Sequence, residues 1–367
     1  MSNITLEARA FPISGPAVFA RLLLWLASGV LVATALLLTL NALEVVDIGL
    51  SNWRPLLYAY GLWAVAICVH QWFTRGERGQ KALFVLPAAL FTVAVVLFPT
   101  FFGFYIAFHD WNLSSPTGAK FNGIDNLRTL VSDAYFWNSL GNMVFYVLSV
   151  LPQYALAFTL ALFLNTDIKA RKFFRVAFLL PFMLSPVAVS WMIGKSLMEV
   201  RFGPLAALLK QVGWSNPAFF ADPWTARLSI VAMDSWMWVP FMTILLLAGL
   251  QAMNKEIVEA AEVDGASRWR AFWEITFPLM LPVSVTTIML RIIFQLKLAD
   301  IVINVTSGGP GGATDTISSF VFREYRDRSN VGYGTMVAMV YLVLILIFMT
   351  LLLKAVNRWM QKDEERD

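Results

Sequence analysis

The sequence predicts an all-α membrane protein, a polytopic transmembrane helical bundle of about eight spans, and three observations predict it. First, 58% of the 367 residues are hydrophobic and only 14% are charged, whereas soluble domains carry about 25% charge. Second, the mean hydropathy is +0.66, which leaves more apolar surface than one soluble core hides. Third, the apolar residues form runs of about 20, long enough to cross a bilayer and without the alternation of barrel strands.

Eight apolar runs are predicted to be helical spans, because lipid offers no hydrogen-bond partner to an open backbone. They are residues 22–40, 55–73, 82–104, 137–164, 174–193, 228–250, 279–298 and 336–356. The first run follows only Arg9 and Arg21 and is long enough to span, so we expect a retained anchor rather than a cleaved signal peptide. Cys68 is the single cysteine, which excludes an intrachain disulfide.

The basic residues predict the orientation of the chain. Although the net charge is +4, these residues stand in short clusters between apolar runs rather than along one soluble face, which argues against nucleic-acid binding. The clusters at 75–81, 169–175 and 354–366 lie inside if both termini are cytoplasmic. The connections 109–136, 199–227 and 300–335 then lie outside, and their length suits partner binding as well as passive connection. Within the last of them, Arg323, Arg326 and Arg328 are offset by Glu324 and Asp327.

The connection between the sixth and seventh spans, residues 252–278, differs from the other inside loops. Its sequence predicts a short acidic helix over 255–263, a turn at Asp264 and Gly265, and a second helix capped by Ser267. We expect Pro278 to close this segment. A short helix held between two spans suits docking into a groove on another protein. The alternative is an interfacial helix on lipid, which the acidity of the first half disfavours.

The residues of this loop resemble the EAA motif of binding-protein-dependent (MetI-like) ABC importer permeases. The residues that carry the resemblance are Glu259, Ala260, Ala261, Asp264, Gly265, Ala266, Ile275 and Pro278, while Phe277 stands where leucine is usual. In that family the loop is a coupling helix that sits in a cleft of the ATPase subunit. The resemblance therefore implies that these residues couple the chain to a separate ATPase.

A second stretch, Gly308, Gly309 and Pro310 with the residues around them, resembles the outer loop of carbohydrate-type permeases. The resemblance implies that this stretch contacts a binding protein. No Lys-Ser/Thr pair follows the glycines, so the stretch is not a phosphate-binding loop. We therefore expect no cofactor on this chain, with ATP and Mg on the partner ATPase.

The family resemblance also implies a domain plan and partners. Residues 1–81 would form a cytoplasmic tail and two additional helices, 82–356 the permease core and 357–367 a cytoplasmic tail, similar to the larger maltose-type subunit. The implied partners are a second permease subunit in a heterodimer, two copies of an ABC ATPase and a periplasmic solute-binding protein, assembled in the lipid bilayer of a bacterial inner membrane. The implied substrate is a sugar, polyol, glycoside or glycerol phosphate.

Polar residues within spans are costly and mark candidate pathways. Arg291 and Gln295 are four apart and share a helix face, and the resemblance implies substrate contacts on this stretch. An ion pair between Arg291 and Asp234 is the alternative. If Arg291 and Lys297 both faced the cavity, an anionic substrate would be expected. The candidate pathway residues are Gln295, Arg291, Lys297, Asp300, Asp234, Asn142 and Ser185.

Several of these residues have a second interpretation. Lys297 can pair with Asp300, and Asn142, Gln153, Ser185 and Ser190 can form helix–helix hydrogen bonds. The aromatic residues Trp236, Trp238 and Phe241 favour packing or interfacial anchoring over stacking on a sugar ring.

Two other function classes fit the sequence less well. An ion-gradient-driven secondary transporter needs a coupling-ion site, for which Asp234 alone is thin support. A membrane enzyme needs a catalytic carboxylate pair, an activated nucleophile or a metal cluster, and the sequence presents none of these patterns. The sequence contains no pattern typical of a metal site, and it does not specify which carbohydrate is transported.

Overall fold

A computed structural model describes residues 15–42, 45–46, 52–116, 118–166 and 171–364. Arg9, Lys169 and Arg366, which entered the orientation argument, lie outside the described residues. The chain forms two compact units, Met1–Tyr105 and Ile106–Asp367. The third apolar helix lies largely within the first of these units, and the division into a permease core and additional helices stays a prediction.

The N-terminal unit is built from small-residue helix packing. Its elements are α1 (Gly15–Ala42), α2 (Arg54–Thr74), α3 (Gly76–Thr92), the π-helical segment π1 (Val93–Leu97) and α4 (Phe98–Ala107), which runs past the unit boundary. Ala20, Ala27, Ala59 and Ala66 are buried, which lets the α1 and α2 backbones approach closely.

The second unit contains the rest of the bundle. Its first elements are β1 (His109–Asp110), β2 (Lys120–Phe121), α5 (Asp125–Ser132), α6 (Ala134–Leu148), α7 (Val150–Asn165), α8 (Arg171–Met183), α9 (Pro186–Val189), π2 (Ser190–Leu197) and α10 (Pro204–Gln211). They are followed by α11 (Pro223–Ala252), α12 (Lys255–Val263), α13 (Arg268–Ala271), π3 (Phe272–Thr276), α14 (Phe277–Gln295), α15 (Asp300–Val305), α16 (Ile317–Arg326) and α17 (Val331–Glu364). The two strands pair antiparallel.

The described residues contain seven helices long and apolar enough to cross a membrane, and an eighth if one bent pair counts as a span. The predicted fold class is therefore confirmed. Helix α11 is central, packing against α7, α8 and α14. At Gly249 a β-carbon would lie 2.8 Å from Val283 Cγ1, so glycine permits the close approach of α11 and α14.

The fifth span is not the single helix that the sequence predicts. Two helical pieces, Val176–Met183 and Pro186–Leu197, meet at an angle of 96°. Ser185 between them is extended, with φ −70° and ψ 148°, and its side chain accepts a hydrogen bond from the Ala188 amide. A residue before proline avoids the helical region, so Ser185 ends one helix and caps the next.

Two π-helical segments each end two residues before a proline. Segment π1 precedes Pro99 and segment π3 precedes Pro278. A proline lacks an amide hydrogen, and its ring crowds the carbonyl four residues earlier. In both cases that carbonyl lies within the π segment, where the wider turn relieves the conflict. The helix of the seventh span consequently continues from Arg268 to Gln295, and the prediction that Pro278 closes the loop is wrong.

Candidate functional site

A buried polar centre joins three spans of the second unit. Gln153 on α7, Asp234 on α11 and Arg291 on α14 form one network. Arg291 Nη2 contacts Asp234 Oδ2 in an ion pair, and Arg291 Nε donates to Gln153 Oε1 over 3.1 Å. Gln153 Nε2 donates in turn to Asp234 Oδ2 over 3.2 Å. Of the two interpretations of Arg291, the structure thus forms the ion pair.

Aromatic rings cover one side of this polar centre. The Arg291 guanidinium carbon lies 5.1 Å from the centre of the Trp238 ring, within cation–π range. Trp238 stacks on Phe294 with ring centres 4.5 Å apart, and Phe241 stacks on Phe182 at 5.0 Å. Trp238 and Phe241 therefore pack within the bundle, whereas Trp236 is 40% exposed.

Some polar atoms of the centre are buried without a partner. Arg291 is 0% exposed and Gln295 is 1% exposed. Within the described residues, Arg291 Nη1 and both amide atoms of Gln295 have no hydrogen-bond partner. Unpaired buried polar groups cost free energy, and in a membrane they mark candidate pathways. These atoms therefore offer hydrogen-bonding capacity to a polar molecule that reaches them.

The structure separates Lys297 and Asp300 from this centre. Helix α14 ends at Gln295 and α15 begins at Asp300, and both charged side chains are exposed. No ion pair joins Lys297 to Asp300 in the described structure. The suggested pair fails because a turn, in which the Lys297 amide donates to the Phe294 carbonyl, replaces the helical spacing.

Asn142 on α6 belongs to a different network, which lies near the start of α11. It holds residues 306–316, which we name the glycine-rich loop. Asn142 Nδ2 donates to the carbonyls of Gly312, over 3.0 Å, and Asp315, over 2.9 Å. Arg227 Nη2 donates to Asn142 Oδ1, and Arg227 Nε donates to the Ala313 carbonyl over 2.7 Å. Asn142 therefore bonds α6 to the glycine-rich loop and, through Arg227, to α11 as well.

The glycine-rich loop is folded inward around Asp315. This carboxylate is fully buried, accepts from Ser319 Oγ over 2.6 Å and pairs with Arg323. Gly308 has φ +86°, and a β-carbon there would lie 2.8 Å from the Asp315 carboxyl carbon. Of the three residues assigned to binding-protein contact, Gly308 is buried, whereas Gly309 and Pro310 are partly exposed.

Next to this loop, α16 carries a second set of ion pairs. Arg328 Nη1 lies 2.5 Å from Glu324 Oε1, and Arg326 pairs with Asp327. Burial raises the pKa of the Glu324 carboxyl above its ordinary value, and Arg328 opposes that shift. The hydrogen bond from Arg326 lowers the pKa of Asp327. The positive charges of Arg326 and Arg328 are thus offset by Asp327 and Glu324, as expected, whereas Arg323 pairs with Asp315.

The first part of the connection between the sixth and seventh spans, from α12 to the Ser267 cap, forms as predicted. Helix α12 begins at Lys255 and ends at Val263, Gly265 adopts φ +83°, and Ser267 Oγ accepts from the Arg270 amide over 3.3 Å. The left-handed φ explains the glycine, because other residues adopt it at a cost. Asp264, Gly265, Glu259 and Ala260 are exposed.

The start of α13 is held by an aromatic cluster. The rings of Trp269, Phe272, Trp273 and Phe277 contact one another with centroid distances of 5.0 to 6.1 Å. Ala261 of α12 is buried, and α12 packs against α13. Ile275 and Pro278 lie within and just after π3. The loop is therefore an ordered projection.

Arg227 was not singled out from the sequence. It stands in the first turns of α11, where an arginine near a span end is expected to reach the interface. Its contacts to Asn142 and Ala313 span more than 80 residues of sequence. No local pattern signals such contacts.

An apolar bundle with a buried polar centre and an ordered helix projecting between two spans is the architecture of a membrane permease. The chain belongs to the family described as "Binding-protein-dependent transport system inner membrane component", whose profile matches residues 135–362. The match covers α6 to α17 apart from the first residue of α6 and the last two residues of α17.

Characterised relatives extend over most of the chain. The trehalose/maltose transport system permease protein MalF of Thermococcus litoralis is 33% identical over 273 residues, which are 74% of this chain and 92% of the relative. The sulfoquinovosyl glycerol transport system permease protein SmoG of Agrobacterium fabrum is 30% identical over 275 residues, 75% of this chain and 89% of the relative.

Solved structures share the fold. A chain of a bacterial ABC transporter involved in the import of the acidic polysaccharide alginate superposes with a TM-score of 0.66 at 22% identity, covering 76% of this chain and 95% of that one. A second alginate transporter structure, in complex with an alginate pentasaccharide-bound periplasmic protein, gives a TM-score of 0.64 at 21% identity.

Proposed function

We propose that the chain is a permease subunit of an ATP-driven importer that takes up a sugar, polyol, glycoside or related carbohydrate. A soluble binding protein delivers the substrate, and a separate ATPase binds ATP and Mg. The names of the two relatives, which refer to trehalose, maltose and sulfoquinovosyl glycerol, support a carbohydrate cargo.

The ordered projection of α12 carries the proposal. Glu256 and Glu259 are exposed on this helix, and Val263 at its end is 88% exposed. An exposed short helix with acidic and apolar residues suits a groove with a basic rim on a partner. We assign that groove to the ATPase, through Glu259, Ala260, Ala261, Asp264, Gly265 and Ala266, with Ile275 and Pro278 supporting the loop from behind.

The continuous seventh helix provides the mechanical link. It runs from Arg268, next to the loop, to Arg291 and Gln295 without a break, a distance of about 35 Å at 1.5 Å per residue. Closure of the ATPase dimer on α12 would move this helix as a rigid element. The polar centre at its far end would then be exposed to one side of the membrane or the other.

The complete transporter would contain a second permease subunit, two copies of the ATPase and a periplasmic binding protein in a bacterial inner membrane. Both termini would be cytoplasmic, and Gly309 and Pro310 would face the binding protein. The substrate pathway would pass Gln295 and the unpaired edge of Arg291.

An ion-gradient-driven transporter is the alternative. Such a protein needs an intramembrane carboxylate that is free to bind its coupling ion. Asp234 is the buried carboxylate of the described spans, and Arg291 occupies it. This pairing favours the ATP-driven mechanism.

Co-purification tests the proposal. The tagged chain, expressed with its partner permease and ATPase, should retain the ATPase in stoichiometric amount. Glu259→Lys reverses the charge on the exposed face of α12 and should release the ATPase. The matched control Glu199→Lys, in the connection between the fifth and sixth spans, should retain it. Equal retention by both variants would contradict the assignment of α12 as the docking element.

A further inference from the structure

The Arg291 guanidinium is almost fully engaged by this chain. Asp234 pairs with Nη2, Gln153 accepts from Nε over 3.1 Å, and the Trp238 ring lies 5.1 Å from the guanidinium carbon. Only Nη1 is left without a partner among the described residues. The three partners come from two helices, α7 and α11, so the packing of the bundle fixes the guanidinium in place.

The charges of the polar centre sum to zero. Among the described spans, Asp234 and Arg291 are the charged residues that are buried, and they contact each other. Lys297, whose charge would add to that of Arg291, is exposed beyond the end of α14. Gln295 contributes a neutral amide with both atoms unpaired.

We propose that Asp234 is a specificity-determining residue, which neutralises Arg291 so that the pathway accepts uncharged rather than anionic carbohydrate. The inference rests on the proposed function. With its charge compensated, Arg291 offers a hydroxyl the two N–H donors of Nη1, and Gln295 offers a donor group and an acceptor one helical turn away. An anionic group that binds the unpaired Nη1 lies beside the Asp234 carboxylate, whose negative charge repels it and offsets the attraction of Arg291.

Gln153 acts as a positioning residue in this arrangement. It bonds both members of the ion pair, donating to Asp234 over 3.2 Å and accepting from Arg291 over 3.1 Å. A carboxylate in place of its amide would lie beside Arg291 Nε. The site therefore permits the compensating charge to be moved from α11 to α7 without adding or removing a helix contact.

Asp234→Asn tests the inference, because it keeps the shape of the side chain and frees the charge of Arg291. Initial uptake rates of maltose, a neutral probe, and sulfoquinovose, a sulfonated probe, are measured in proteoliposomes with the same partner permease, ATPase and binding protein. The selectivity of the binding protein then cancels when the sulfoquinovose-to-maltose ratio of a variant is divided by that of the wild type. We expect this quotient to rise about tenfold or more, the factor that 1.4 kcal/mol represents.

The double variant Gln153→Glu with Asp234→Asn restores neutrality and should return the quotient to about one. Asp125→Asn, which changes an exposed carboxylate on α5, is the control and should leave it unchanged. An unchanged quotient in Asp234→Asn would overturn the inference while leaving ATP-dependent import intact. Absence of ATP-dependent uptake of every sugar by the wild type would instead overturn the proposed function.

A second measurement does not depend on transport. Thermal unfolding of the purified complex should show a lower midpoint for Asp234→Asn, because this variant leaves the buried charge of Arg291 uncompensated. The double variant restores a compensating carboxylate, so its midpoint should recover. Additive losses in the double variant would show that Gln153 cannot supply the compensating charge and would overturn the charge-balance argument.

Discussion

Arg227 Nη2 donates to Asn142 Oδ1 over 2.9 Å, and so joins the first turns of α11 to α6. The same asparagine holds the carbonyls of Gly312 and Asp315, and the same arginine holds Ala313. Two side chains thus satisfy three carbonyls of the glycine-rich loop. The conformation of that loop depends on contacts from both helices.

Asn142→Leu should destabilise the protein by about 1–3 kcal/mol, because it removes the hydrogen bonds to the buried Asp315 carbonyl and to Arg227 Nη2. The Gly312 carbonyl keeps its hydrogen bond from Asn138 Nδ2, over 2.6 Å. Chemical unfolding of the purified protein measures the change. Asn304→Leu is the matched control, since the Asn304 amide makes one exposed hydrogen bond, to the Asp300 carbonyl. Similar losses in the two variants would contradict a special role for Asn142.

Glu324 predicts a pH dependence on α16. Its pKa is raised above the ordinary value of 4.5, chiefly by burial. A raised carboxyl pKa favours the protonated form in the folded state, so the associated stability is present below about pH 4.5 and is lost as pH rises through the raised pKa. Glu324→Gln lacks this loss. Its unfolding midpoint relative to the wild type should therefore increase between pH 4.5 and pH 7, and a constant difference would contradict the shift.

Gly265 predicts a conformational requirement in the loop. The site has open space but φ +83°, so a side chain brings backbone strain of about 1–2 kcal/mol rather than a clash. Gly265→Val should reduce sugar-stimulated ATP hydrolysis, whereas Gly265→Asn should retain most of it, because asparagine tolerates the left-handed region. Gly141→Val, at an open helical site, is the control. Equal effects of Val and Asn would contradict the backbone explanation.

The proposed orientation predicts which side of the membrane each exposed position faces. In a Cys68→Ser background, Val263→Cys places a thiol on α12 and Ser307→Cys places one in the glycine-rich loop. A membrane-impermeant maleimide added to intact spheroplasts should label the second and not the first. Inverted vesicles should give the opposite result. Labelling of Val263→Cys from outside would contradict both the orientation and the docking of an ATPase.

Local signals explain why the 252–278 connection could be predicted well. The acidic helix formers, the Asp264–Gly265 turn and the Ser267 cap each act within a few residues, and the structure places α12 and the cap where they indicate. The end of the segment was misjudged because the effect of Pro278 depends on the π-helical turn before it. A helix can end at a proline or continue past it through a wider π-helical turn, and the sequence does not reveal which of the two occurs.

The polar centre could be predicted in part. The spacing of Arg291 and Gln295 places both on one face, and Asp234 was the natural ion partner, but the contacts of Gln153 to both charges depend on the packing of three helices. The hydrogen bonds that Arg227 and Asn142 make to each other and to the glycine-rich loop could not be predicted, since the bonded residues are 85 or more positions apart in the chain. The bend at Ser185 was signalled by Pro186, but its angle of 96° was not.

The most direct test of the central claim is sugar uptake by proteoliposomes that contain the full transporter, with and without ATP. The account predicts that a loaded binding protein supports uptake only when ATP is hydrolysed, and that Glu259→Lys abolishes this uptake while the spans remain folded. Uptake driven by a sodium or proton gradient in the absence of nucleotide, undiminished in Glu259→Lys, would contradict it.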